Sequence, residues 1–180
     1  MVENETRTVK AIPLRRLKMS RPTERLAAPL NFGKYRCRRL TDVDGAMIGR
    51  LLCTSFRGTI DDADHQTDEQ WRNIAIQTFW HGICHNSSLV LFDGNSPICA
   101  MVVVPHRHSR SLDLAMTHPT YRGQGLAELL IRQSLHNLSQ AGVQSMSLWV
   151  TEQNVPALRL YEKLGFETQS DFYCLKVVFT

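Results

Sequence analysis

The sequence contains no run of apolar residues approaching the roughly 18–20 that cross a bilayer, which argues against a helical membrane protein. Its first twenty residues, MVENETRTVKAIPLRRLKMS, lack the continuous apolar stretch of a secretory signal. No CxxC pair occurs, and the cysteines (Cys37, Cys53, Cys84, Cys99 and Cys174) are odd in number and scattered. That excludes a disulfide framework or a cysteine zinc site as the organising principle. It fits small buried side chains in a reduced, cytoplasmic setting. Repeats and low-complexity tracts are also missing. Hydrophobic residues at 43% and charged residues at 21% are globular values, so the composition excludes wholesale disorder. At 180 residues, one domain with a sizeable core is expected.

Charge is unevenly placed. Residues 1–39 hold eleven Lys/Arg against Glu3, Glu5 and Glu24, a net of +8, while the whole chain is +4, so residues 40–180 carry −4. A basic arm can touch nucleic acid or an anionic surface. This one has few aromatics, three prolines (Pro13, Pro22, Pro29) and weak periodicity. Residues 1–33 are therefore expected to be a basic N-terminal extension, flexible or loosely packed, ahead of a domain spanning 34–180. Neither a nucleic-acid nor a membrane partner is expected.

From Tyr35 the pattern sharpens. KYRCRRL predicts a short strand, and TDVDGAMIGRLLCTSF a helix capped at Thr41 or Asp42. TDEQWRNIAIQTFWHGI predicts a second helix capped at Thr67, with acids in its first turn. SSLVLFDGNSPICAMVVVPH holds two apolar runs around Asp-Gly-Asn, a hairpin signature. SRSLDLAMT and QSMSLWV alternate as strands, and between them Ala127, Leu130, Ile131, Ser134, Leu135 and Leu138 form one helical stripe. Strand, helix, strand over this span is a βαβ unit, so its strands should be parallel neighbours. NVPALRLYEKLGFE predicts a last helix, with Asn154 as N-cap and Pro156 in its first turn, followed by two strands, FETQS and FYCLKVVF.

The stretch THPTYRGQGLAELL puts Gly123 and Gly125 directly ahead of the striped helix. The first N–H groups of a helix have no internal partner and sit at the positive end of its dipole. A loop without Cβ atoms lets a pyrophosphate reach several of them at once, and Arg122 can add charge-assisted bonds. Glycines at a turn also occur for purely conformational reasons. The loop lacks the Gly-Lys-Ser/Thr ending of a Walker loop. It is not a Rossmann fingerprint either, because Glu128 stands where the third glycine would fall.

Two blocks carry a resemblance. Arg122-Gly123-Gln124-Gly125-Leu126-Ala127 satisfies Q/R-x-x-G-x-G/A, and Asn154, Ala157, Leu160, Tyr161, Gly165 and Phe166 follow the second block in the right order. From Leu112 to Phe166 the chain resembles the GNAT superfamily of acetyl-CoA-dependent N-acetyltransferases, although Thr117 stands where valine is usual. The resemblance implies an α/β fold: a mostly antiparallel twisted sheet of six to seven strands, the fourth and fifth parallel and splayed, flanked by about four helices. It implies that acetyl-CoA lies in that splay, its pyrophosphate on the amides of Arg122 to Ala127 and its pantetheine along Leu114 to Thr117, including Ala115. An N–H near Met116 or Thr117 would then stabilise the oxyanion, and Asn154 would bond the pantetheine or cap its helix. Tyr161 would be the general acid toward the leaving thiolate. By spacing alone it is a core tyrosine on the stripe Ala157, Leu160, Leu164.

The acceptor ammonium must lose a proton. Asp113, four residues before Thr117 and on the same side of a period-two strand, is the candidate base. Asp61, Asp62 and Asp64, with Trp71 just beyond them, are candidate acceptor-binding residues, since clustered carboxylates attract a cationic amine; a solvated loop is the plainer reading. His81 and His85 have i, i+4 spacing but no third ligand, so no metal is expected. The expected activity is acetyl transfer to a small-molecule or peptide amine by a monomer or homodimer. The alternatives are a non-catalytic acyl-CoA-binding module, or the same fold with another acyl donor.

Overall fold

Residues 9–23, 31–62, 67–106 and 109–179 are described by a computed structural model. Among the described residues seven strands and four α-helices follow one another: β1 (Val9–Pro22), β2 (Arg36–Arg39), α1 (Gly45–Phe56), α2 (Asp68–Trp80), β3 (Leu89–Asp93), β4 (Ser96–His106), β5 (Ser109–Thr117), α3 (Leu126–Gln140), β6 (Ser145–Thr151), α4 (Val155–Lys163) and β7 (Glu167–Phe179). The strands form one sheet in the order β2-β3-β4-β5-β6-β1-β7. Among the described residues β5–β6 is the parallel pair and every other pairing is antiparallel. The mixed α/β sheet and its parallel pair match the expectation; the family's fourth and fifth strands are β5 and β6 here.

Two cores sandwich the sheet. Leu91, Met101, Val103, Leu112, Met146 and Leu148 pack beneath α3 and α4. Val90, Ala100, Val102 and Met116 face α1 and α2 on the other side. The stripe of α3 is buried as its spacing predicts: Leu130, Ile131, Ser134, Leu135 and Leu138 are all at most 2% exposed. Each such apolar side chain contributes on the order of 1.5–3 kcal/mol. Thr67 caps α2 by accepting from the Gln70 N–H at 3.2 Å, as expected. Ahead of α1, Asp42–Asp44 forms a 3-10 turn with Thr41 at its N-cap. The Asp44 carboxylate accepts from the Thr41 N–H at 2.8 Å and from both Arg38 Nη atoms at 2.7 Å.

Two expectations are corrected. Residues 9–22 are not a loose extension: β1 lies between β6 and β7, paired from Arg16↔Thr151 to Pro22↔Ser145 on one side and from Val9↔Phe179 to Ser20↔Glu167 on the other. Leu17 and Met19, 6% and 1% exposed, anchor it in the core. The two final strands are one, since β1 offers β7 a single continuous partner.

The feature that positions the site is a bulge in β5. Val102 pairs with Leu114 and Val103 with Leu112, leaving Asp113 as an extra residue. The parallel ladder with β6 runs Arg110↔Met146, Ser111↔Ser147, Leu112↔Leu148 and stops there. From Asp113 onward β5 and β6 part.

Candidate active site

A cleft of about 540 Å³ opens where the two strands separate. Ala115, Met116 and Thr117 of β5 line it, with Arg122, Gly123 and Gly125 of the next loop, Leu126 and Ala127 of α3, and Asn154 and Tyr161 of α4 and its cap. The α1 end and the following loop close the side with Ser55, Phe56, Thr59 and Asp61.

Gly123 and Gly125 have φ of 74° and 73°, a region that only glycine adopts routinely. A Cβ at either would meet nothing within 4 Å, so the backbone angle fixes the residue type and the space beside it stays open. Gly125 is the N-cap of α3 and has no side chain to cap it. The first intrahelical bond in this turn is Leu129 N–H to Gly125 C=O at 3.1 Å. The N–H groups of Leu126, Ala127 and Glu128 therefore lack helical acceptors, at the positive end of a 15-residue helix. This is a cradle for a phosphate-bearing group.

The side chains around the loop brace it. Arg122 Nη2 donates to the Ser55 carbonyl at 2.5 Å, tying the loop to α1 rather than projecting free. The Gln124 carbonyl accepts from the Tyr35 hydroxyl at 2.9 Å, so its side chain turns from the cleft and only its backbone is left for a ligand. Glu128 is paired with Lys163 at 2.6 Å and Arg132 at 3.0 Å, and Lys163 foremost holds its carboxyl below the usual range. The Ser55 hydroxyl, buried in the cleft wall, has no hydrogen-bond partner among the described residues.

Tyr161 is 7% exposed, its ring edge-on to Phe166 at 5.8 Å and its side chain on the cleft. Burial, and then the charge of Asp61, push its phenol up to about 12. Asp61 reaches across the cleft: it accepts from Thr151 Oγ1 at 2.5 Å, Asn154 Nδ2 at 2.7 Å and Arg16 Nη1 at 3.4 Å. Asn154 also caps α4, accepting from the Ala157 N–H at 3.3 Å. The structure thus shows the capping role of Asn154, and the residue also lines the cleft.

Other sequence-derived candidates fall elsewhere. Asp113 was expected on the side of Thr117, but the bulge breaks the period of two. Asp113 lies on the α2 face, where its carboxylate accepts from the Thr78 hydroxyl at 3.2 Å, and not in the cleft. Trp71 is not an acceptor contact but a core residue, 4% exposed and 5.5 Å from the Phe56 ring. Asp62 is buried and accepts from the Gly58 N–H at 2.8 Å, a loop-bracing role. Asp64 lies outside the described residues. Helix α2 ends at Trp80, so His81 and His85 do not share a helical face; their Nδ1 atoms contact the Gln77 and Leu40 carbonyls.

Sequence reasoning missed Arg16, Thr151 and Ser55. Arg16 was hidden inside the basic leader, whose weak periodicity gave little strand signal.

A family profile described as "Acetyltransferase (GNAT) family" matches residues 46–166. A 48-residue segment, 27% of this chain, is 48% identical to a mycothiol acetyltransferase of Thermomonospora curvata, of which it spans 16%. The chain thus covers well under half the length of such curated relatives. Among solved structures, a GCN5-related N-acetyltransferase from Sphaerobacter thermophilus superposes with a TM-score of 0.71 at 16% identity, over 94% of this chain and 53% of that one. The PaiA N-acetyltransferase of Thermoplasma acidophilum, solved with coenzyme A, gives 0.64 at 18% identity over 80% of this chain and 99% of that one. With its parting strands, glycine cradle and profile match over two-thirds of its length, the chain belongs to the GNAT family of acetyltransferases.

Proposed function

We propose that this acyltransferase moves the acetyl group of acetyl-CoA directly to a primary amine. The observation that carries the reading is the uncapped start of α3, with its two left-handed glycines, opening into the gap between β5 and β6. The backbone from Gly123 to Ala127 would hold the diphosphate. The Ser55 hydroxyl and the side chains of Asn154 and Ala115 lie along the rest of the groove. Acetyl-CoA would supply an activated thioester; the chain supplies orientation and proton management.

The backbone of Ala115 to Thr117 lies past the last β5–β6 pair, so its groups on that side are available to a ligand. One of its N–H groups facing the thioester oxygen would be worth on the order of 3–4 kcal/mol in the transition state. Amine nitrogen bonds to the carbonyl carbon as the C–S bond breaks. The ammonium gives up one proton before attack and the second as the amide forms. Asp113 faces α2 and not the cleft, so the first proton is proposed to leave through water. Tyr161 lines the cleft and would face the leaving sulfur. With its phenol near 12, against an ordinary thiol at about 8.5, it stays protonated and donates a hydrogen bond to sulfur ahead of full proton transfer. No cysteine lines the cleft among the described residues. Burial lifts the Cys99 thiol to about 12 and the Cys37 thiol to about 11, which supports direct transfer over a thioester intermediate on the protein. Five unpaired thiols also fit a reducing compartment such as the cytoplasm.

The test is release of free thiol from acetyl-CoA across a panel of primary amines. Amine-dependent release that Tyr161→Phe abolishes supports transfer. Coenzyme A binding without release for any amine contradicts it and leaves a binding module.

A further inference from the structure

A second cavity, of about 440 Å³, lies along the same strand, β5. Arg16, Ser111, Leu112, Asp113, Trp149 and Phe172 line it. Ser111 to Asp113 border this cavity and Ala115 to Thr117 border the cleft, on either side of Leu114 in the same strand. Arg16 links them: it lines the second cavity while its Nη1 reaches Asp61 on the wall of the first.

The chemistry of this cavity is specific. Trp149 and Phe172 meet edge to face at 5.1 Å, yet are 42% and 47% exposed, an aromatic floor left open on a strand face. The Arg16 guanidinium is set against Asp61 and Thr151. Asp113 has the Thr78 hydroxyl as its hydrogen-bond partner and no cation within ion-pair distance among the described residues. Among the described lining residues Asp113 is therefore the charged group without an ion pair, beside two aromatic faces that themselves attract a cation, and a further cation, Lys18, is the cross-strand partner of Trp149.

We infer that the second cavity is the acceptor subsite and that it selects a singly charged primary amine on a flat apolar body, an arylalkylamine in chemical class. The inference rests on the acetyl-transfer reading and names its acceptor. The ammonium lies between Asp113 and the mouth of the splay, and the ring lies on Trp149 and Phe172. A carboxylate next to the amine would face Asp113, which disfavours amino acids. A linear polyamine would leave the aromatic floor unused and bring a second charge toward Arg16.

Calorimetric titration of 2-phenylethylamine into protein saturated with coenzyme A tests this without requiring turnover. Saturable binding is expected in the unaltered protein. Trp149→Ala, Phe172→Ala and Asp113→Asn should each weaken it roughly tenfold. All three positions are at or near the surface, and unchanged coenzyme A affinity verifies that each variant is folded. Phenylalanine and spermidine should bind at least about tenfold more weakly than 2-phenylethylamine. No binding of 2-phenylethylamine, or equal binding by the three variants, overturns the subsite. Thiol release in the same mixtures separates the two readings. Bound 2-phenylethylamine with no thiol contradicts transfer alone, whereas thiol released with spermidine or phenylalanine but not with 2-phenylethylamine contradicts the subsite alone.

Discussion

Tyr161 sets the pH behaviour of the site. Its phenol is raised to about 12, so it loses its proton only well above neutrality. Turnover should therefore rise with pH as the acceptor ammonium, near 10 for an ordinary alkylamine, gives up its proton. It should not fall between pH 7 and 10. A rate profile over that range checks this, and a descending limb near pH 8 would contradict it. Tyr161→Phe should lower kcat by about 10²-fold or more while leaving coenzyme A affinity unchanged. Asp44 is a different case, one of stability. Hydrogen bonds from Arg38, then from Thr41, lower its carboxyl to about 2 in the fold. A depressed folded pKa contributes stability that is complete above about pH 4 and lost as pH falls toward 2. Asp44→Asn should cost about 2 kcal/mol at neutral pH and flatten acid unfolding in that window, measured by urea denaturation at pH 7 and pH 3. Single residues were unevenly legible in the sequence. Arg122, Gly123, Gly125, Leu126, Ala127, Asn154 and Tyr161, which line one cleft, stood out through two short motif blocks, each local to a loop or one helical face. Trp71 was misplaced because a tryptophan near acidic residues looks the same whether it points at a ligand or into a core.

Among elements, the loop into α3 was the most readable, since glycine spacing and a helical stripe are both short-range signals. Gly125→Ala would force a Cβ into the left-handed region at about 1–2 kcal/mol, with no steric clash to add. The loop should relax away from that geometry, and coenzyme A affinity should fall about tenfold or more while the melting temperature changes by only a few degrees. The bulge in β5 was not legible. SRSLDLAMT alternates without a break, and only the partner strand shows that Asp113 is the extra residue. That one residue moves Asp113 from the cleft to the opposite face, which is why a period-two argument placed it wrongly.

At the scale of the whole molecule, the charge asymmetry of the sequence has a structural outcome. Residues 9–22 of the basic leader are a sheet strand whose arginines meet the acidic body: Arg15 with Glu152 and Asp171, Arg16 with Asp61. Arg21 also donates to the Leu164 carbonyl behind α4. The strand was hidden because its partners lie more than 120 residues away, beyond any local pattern. Removing residues 1–22 should therefore strip β7 of its partner strand and β6 of one of its two, and abolish cooperative thermal unfolding, not merely trim a tail. A truncated protein that melts cooperatively near the original temperature would contradict the sheet order. The site depends on the same strand, because Arg16 helps hold Asp61 over the cleft.

The account rests most on the diphosphate cradle at the start of α3, and calorimetry with coenzyme A tests it most directly. Saturable one-to-one uptake by the folded protein, weakened by Gly125→Ala and indifferent to Tyr161→Phe, is the predicted result. No uptake by folded protein, or uptake that Gly125→Ala leaves unchanged, would contradict it.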